Sequence, residues 1–217
     1  MDTALYAKLA AWIFSVMVAM VPPEKVSEAP KHHGFAVIET PEQAEARMRV
    51  IASEIAAVAA NPKAPQLFVG EDAVAKTALM LTVISYFESM WSAQIDNGNQ
   101  RGDAGRSVCL MQIQVGQGTV RVGKHSWDAF QLLSERKRCL RAGLELLNRS
   151  FWACRGDIAQ QLTAYATGSC GKGRKYTLLR QNSFNKRWAM HPWKTFEFEE
   201  KPLDITGFQL MRSPAAP

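Results

Sequence analysis

The stretch YFESMW, residues 86 to 91, places one carboxylate, Glu88, among aromatic and aliphatic neighbours. On a helix Glu88 shares a face with Leu81 and Ile84, seven and four residues earlier, and with Trp91, three residues later, so its carboxyl group lies along an apolar stripe. Such surroundings strip water from the charged form, raise the pKa and keep a proton available near neutral pH, as a general acid in sugar chemistry requires. The plainer alternative is a glutamate in a last helical turn that reaches water. Two further carboxylates, Asp96 and Asp103, follow in a loop punctuated by Gly98, Gly102 and Gly105. Read from the residues, each is a turn former beside Asn97, Gly98 and Gly102.

The elements that must position these groups are mostly helical. Thr40, Pro41 and Gln43 spell a helix start with a capping box, and Ala44, Met48, Ile51, Ile55 and Val58 continue it as an apolar stripe until Asn61-Pro62. A second helix is predicted over Asp72 to Ala93; its run AVAKTALMLTVISYFESMW suits the central, buried helix of an α domain. Val108 to Val115 alternates as a short strand or hairpin does. Arg138 to Trp152 and Asp157 to Tyr165 read as two helices joined by a short turn at Arg155-Gly156, an antiparallel hairpin that ends in AYATGSCG. The expected fold is mainly α, a helical domain over residues 40–190 with a short β-hairpin beside a cleft.

Three ordered pieces of this domain resemble the soluble-type lytic transglycosylases, within the lysozyme-like superfamily that includes goose-type lysozymes. They are Glu88-Ser89 closing a hydrophobic helix, G-x-S-x-C-L-M-Q-I from Gly105 to Ile113, and A-Y-A-T-G from Ala164 to Gly168 where the family has A-Y-N-A-G. The resemblance covers about 80 residues and implies an α+β lysozyme-like fold. It implies that Glu88 is the single catalytic acid and base, cleaving the β-1,4 bond between N-acetylmuramic acid and N-acetylglucosamine and leaving 1,6-anhydro ends. Met111 and Gln112 match residues lining the sugar groove, and Tyr165 matches a tyrosine whose hydroxyl holds the glutamate or a substrate oxygen. Read from the residues alone, the same three are a packed methionine, a solvated strand residue and a core tyrosine. The family asparagine is replaced by Ala166, so its contact is absent or comes from Thr167 or Gln94. Asp96 and Asp103 stand where goose-type lysozymes carry water-orienting aspartates, which keeps a hydrolysing muramidase as the alternative outcome.

Length and composition fit one packed domain with extensions: 217 residues, 47% hydrophobic, net charge +6 and a pI near 9.3. The charge points to a polyanionic partner, which peptidoglycan, nucleic acid and anionic lipid all satisfy. The stretch Lys172 to Trp188 carries six cationic side chains and three aromatics, the feature a nucleic-acid-binding protein would show, yet it contains no recognition motif and no specific nucleic acid is expected. An inactive structural or adaptor protein is a more distant alternative, opposed by the intact Glu88. Cys109, Cys139, Cys154 and Cys170 form no CxxC pair and have no histidine at ligand spacing, so neither metal nor cofactor is expected. On the helical-hairpin reading, Cys139 and Cys170 can meet, Cys109 competes for Cys170, and Cys154 and Cys170 stand at opposite ends; four buried thiols are the alternative.

Residues 1–39 read as an apolar helix followed by a linker. Leu9 to Val21 is 13 residues without charge, about 20 Å as a helix and short of a roughly 30 Å bilayer core. Asp2 and the lack of an A-x-A site weaken a signal-peptide reading. A helix packed on the domain is favoured, with contact to a membrane or a protein assembly through residues 9–21 as the alternative. His32-His33, in the Pro- and charge-rich linker from Glu24 to Glu39, reads as solvated. Residues 191–217 read as an extended arm whose Trp193, Phe196, Phe198, Phe208, Leu210 and Met211 pack on the domain or on a partner. A wall-cleaving enzyme of this kind belongs to the cell envelope or periplasm, or to a phage virion.

Overall fold

The capping box read from Thr40 forms: Gln43 N donates to Thr40 Oγ1 at 3.3 Å and Thr40 N donates to Gln43 Oε1 at 2.9 Å. The computed structural model describes residues 3–27, 39–154, 158–171 and 175–198. Its helices are α1 (Thr3–Met20), α2 (Pro23–Ser27), α3 (Pro41–Ala59), α4 (Ala73–Ser89), α5 (Ala93–Asp96), α6 (Ala129–Ser134), α7 (Arg136–Ala153), α8 (Ile158–Thr167) and α9 (Lys175–Met190). Strands β1 (Ser107–Val108) and β2 (Ile113–Gln114) pair antiparallel, as do β3 (Val120–Val122) and β4 (His125–Trp127). The fold is therefore mainly α, with two short hairpins where one was expected. His32-His33 and most of the linker, the Arg155-Gly156 turn, Asp157, Lys172, Phe208, Leu210 and Met211 lie outside the described residues.

Helix α4 is the axis of the core. Every residue from Thr77 to Ser85 is buried, because α1, α3, α7 and α9 all pack on it. A helix without a wet face must satisfy its own hydroxyls: Thr82 donates to the Ala78 carbonyl at 2.9 Å and Ser85 to that of Thr82 at 3.0 Å. It ends at Ser89, four residues before the predicted Ala93, since Met90 and Trp91 both adopt left-handed backbone with φ of 51°.

Among the described residues, α1 alone is long and apolar enough to cross a membrane. Here one stripe of it, Leu9, Trp12, Ile13, Val16 and Met17, is buried against α3 and α4 in the same core that reaches Phe184 on α9. The Trp12 indole donates to the His191 carbonyl at 3.0 Å and meets Trp188 and Trp193 edge-on, with ring centroids 6.1 and 5.4 Å away. Trp193 and Phe196 thus pack on the domain, so the described start of the arm folds back.

The disulfides correct the expected pairing. Cys109 bridges Cys139 with Cα atoms 6.1 Å apart, and Cys154 bridges Cys170 at 5.5 Å. The pair judged unreachable is joined, and Cys139 does not meet Cys170. The error lay in treating the end of α7 and the end of α8 as opposite ends of a tight hairpin. Cys170 lies three residues beyond the end of α8, and the bridge shows that the chain there stands beside Cys154 at the end of α7.

Two outcomes check this arrangement. Peptide mapping without reduction is expected to find the Cys109–Cys139 and Cys154–Cys170 cross-links, and replacing Cys109 and Cys139 together by Ala lowers unfolding free energy by about 3 to 4 kcal/mol, as closure of a 30-residue loop implies. Trp12→Ala, which empties the junction of α1 and α9, costs about 3 to 5 kcal/mol in denaturant unfolding. A loss under about 1 kcal/mol would mean that α1 is not part of the core.

Candidate active site

Glu88 occupies the last turn of α4, and a buried polar knot fixes where that helix stops. Ser89 Oγ donates to the Ser85 carbonyl at 2.7 Å, Trp91 N donates to Ser89 Oγ at 3.2 Å, and the Trp91 indole donates to Ser85 Oγ at 2.9 Å. Trp91 is fully buried, so the chain cannot continue along the helix axis and Glu88 is left at its rim. Behind this knot runs an ion network. Arg47 donates to the Trp91 carbonyl at 2.6 Å and to Glu39 at 2.7 Å; Arg136 holds Asp96 at 2.7 Å and Glu54 at 2.8 Å. Burial works against the charge of Arg136, and its bonds to Asp96 and Glu54 more than offset it. Asp96 is thereby a structural brace, engaged by Arg136 and absent from the cleft lining.

The cleft itself has a volume of about 830 Å³, enough for more than one sugar ring. It brings together Glu88, Asp103, Gln112, Tyr165 and Thr167 from the residues singled out in sequence, with Arg121, Arg149 and Arg180. Met111 and Gln94 do not line it. The Met111 side chain is fully buried against Gly143 of α7, where a Cβ would stand 2.8 Å from Met111 Cγ, and only its backbone serves the site. Gln94 contributes a carbonyl to Gln100 N at 3.0 Å. Thr167 points its hydroxyl back to the Thr163 carbonyl at 2.8 Å, and Ala166 leaves its part of the wall without a polar group.

The hairpin β1–β2 forms one wall. Its turn is pinned to α7 by the Cys109–Cys139 bridge, and Cys109 and Gln112 take positive φ of 61° and 46° to make the reversal. Gln112 Nε2 donates to the Cys109 carbonyl at 3.2 Å, and the Tyr165 hydroxyl donates to the Met111 carbonyl at 2.9 Å. Tyr165 therefore ties α8 to the hairpin rather than giving its proton to Glu88. Burial, and then the charge of Glu88, push its phenol up, with Arg180 opposing. Asp103 accepts from Ser107 Oγ at 2.5 Å, which fixes its carboxylate at the cleft.

Sequence reasoning missed Arg180. It lies in the basic stretch that suggested a surface for a polyanionic partner, yet α9 turns it inward: Arg180 Nη2 donates to Glu88 Oε1 at 2.9 Å. The anchoring residues were the available signal. Phe184, four residues on, is buried and stacks on Phe68 at 5.4 Å, which places Arg180 on the same inward face one turn earlier. Burial raises the Glu88 carboxyl above the ordinary carboxylate range, Arg180 pulls it down, and the nearby charge of Asp103 pushes it up; the net direction is up. A smaller pocket of about 350 Å³, lined by Trp127, Lys137, Arg138 and Arg141, has Glu135 as its carboxylate, and that is paired with Arg138 at 2.9 Å.

Because Asp103 raises Glu88, Asp103→Asn is expected to lower the Glu88 titration midpoint, read by carbon NMR of labelled glutamate carboxyl groups. A midpoint that rises or stays fixed would place Asp103 outside the field of Glu88.

Comparison of the chain with protein-family models, with curated proteins and with solved structures finds no match.

Proposed function

We propose that the protein cleaves peptidoglycan between N-acetylmuramic acid and N-acetylglucosamine, with Glu88 as the single acid and base. The observation that carries this reading is a partly desolvated carboxylate whose pKa lies above its ordinary value, at the rim of a cleft large enough for a glycan strand and bordered by three arginines. Glu88 protonates the glycosidic oxygen as the bond breaks; the resulting carboxylate then accepts the proton of the muramoyl 6-hydroxyl, and the 1,6-anhydro ring closes. The cationic rim suits an anionic strand. The motif resemblance to soluble-type lytic transglycosylases supports the same assignment.

Asp103 favours one second reading. It shares the cleft with Glu88, and a carboxylate placed there can orient a water for hydrolysis, as in goose-type lysozymes. Binding of nucleic acid through α9 is less well supported, since Phe184 and Trp188 are packed in the core and against Trp12, and Arg180 is paired with Glu88. The proposed site of action is the cell envelope or a phage virion, with the glycan strand as partner.

Glu88→Gln keeps the side-chain shape and removes the titrating proton. Release of soluble fragments from purified peptidoglycan is expected to fall by at least about a hundredfold, with circular dichroism unchanged. In the native protein the rate is expected to decline on the alkaline side as pH rises through the Glu88 midpoint, because the acid form is then lost. Near-normal turnover in Glu88→Gln would sink the assignment.

A further inference from the structure

The guanidinium of Arg180 lies on the very group that must carry a proton. Its Nη2 is 2.9 Å from Glu88 Oε1, and its central carbon is 5.2 Å from the Phe87 ring centroid. A guanidinium held on a carboxylate favours the ionised form, in which Glu88 cannot act as an acid. The backbone that carries Arg180 is fixed, with Phe184 stacked on Phe68 and Trp188 set edge-on to Trp12, so a change of partner is a change of side-chain rotamer. The planar fork of arginine matches a carboxylate on a ligand as well as it matches Glu88.

We infer that Arg180 is a positioning residue that acts as a ligand-operated latch: a free carboxylate on the glycan in the cleft, the lactyl group of a muramoyl residue without its stem peptide or a carboxylate of the peptide itself, draws the guanidinium off Glu88. Acid-bearing glycans thereby switch on the acid that cleaves them, and neutral glycans leave the latch closed. The inference rests on reading the cleft as a glycan-cleaving site. When the guanidinium turns to the ligand, Glu88 loses its counter-ion, gains a like charge nearby and takes one proton from solvent; no covalent bond is made or broken. Among the described residues, the charged and titratable groups facing Glu88 are Arg180 from α9, Asp103 from the loop after α5 and Tyr165 from α8, while Arg121 of β3 and Arg149 of α7 line the same cleft. Among these Arg180 alone pulls Glu88 downward, against burial and Asp103. Removing it from the balance therefore acts in the direction that general-acid catalysis requires.

The test follows the Glu88 carboxyl resonance in the full chain, labelled with carbon-13 at glutamate, while N-acetylmuramic acid or, as the neutral probe, N-acetylglucosamine is added. N-acetylmuramic acid is expected to raise the titration midpoint by at least about one unit, a tenfold gain in proton affinity, and N-acetylglucosamine to leave it in place. In Arg180→Gln the midpoint is raised before any sugar is added and N-acetylmuramic acid no longer moves it; Arg180→Lys, which keeps the charge without the fork, retains a smaller response. An unmoved resonance, an equal response to both sugars, or no rise in Arg180→Gln overturns the latch. Fragment release from peptidoglycan is scored separately. Fragments with an unmoved Glu88 defeat the latch and leave the cleavage reading, whereas a moved Glu88 without fragments defeats the cleavage reading and leaves the latch.

Discussion

One carboxylate and one guanidinium, 92 residues apart in the chain, share a partly dry cleft, and the rest of the structure is arranged around that pairing. Neither charge is well hydrated: the side chains of Glu88 and Arg180 are 18% and 11% exposed. Removing one partner would leave the other as a poorly solvated charge, which ordinarily costs several kcal/mol. The pair can form only if α4 and α9 are held in one register. Helix α4 is held by burial along nearly its whole length, and α9 by Phe184 on Phe68, by Trp188 on Trp12, and by the Thr177 hydroxyl within 3.2 Å of Thr163 on α8.

The N-terminal helix acquires its role from the same requirement. Its hydropathy alone suits a membrane, but Trp12 fills the junction between α1, the end of α9 and the chain beyond it. A helix that looks separable in sequence is thus part of what places Arg180. The opposite wall depends on a different device. A hairpin of two-residue strands has too few ladder bonds to be stable alone, so the Cys109–Cys139 bridge, the packing of Met111 on Gly143 and the Tyr165 hydrogen bond to the Met111 carbonyl hold it on α7 and α8. Gln112 reaches the cleft as a consequence.

Much of this was legible in the residues. Thr40 to Gln43 announces α3 because capping chemistry is local, and the unbroken apolar run of α4 marks it as central because no other environment suits such a segment. The first hairpin showed in the alternation from Val108 to Val115. The second, Val120 to Trp127, did not, since three-residue strands carry too little period; Gly123 at positive φ was its one signal. The partners of Arg180 and Asp96 were not legible, for a common reason. Charged residues in polar stretches read as solvated or as site residues, and only tertiary packing reveals that one meets Glu88 and the other Arg136. The disulfide pairing failed because the helical pattern says which residues share an element and not where the chain beyond it runs, and Cys154 and Cys170 both lie beyond the ends of α7 and α8.

Glu88 as sole acid and base, with capture of the bond by the sugar itself, is tested most directly by mass analysis of soluble products from purified peptidoglycan. The account predicts muropeptides ending in 1,6-anhydro-N-acetylmuramic acid, each lighter by one water than its hydrolytic counterpart. Products with reducing ends, or strands left intact, would contradict it.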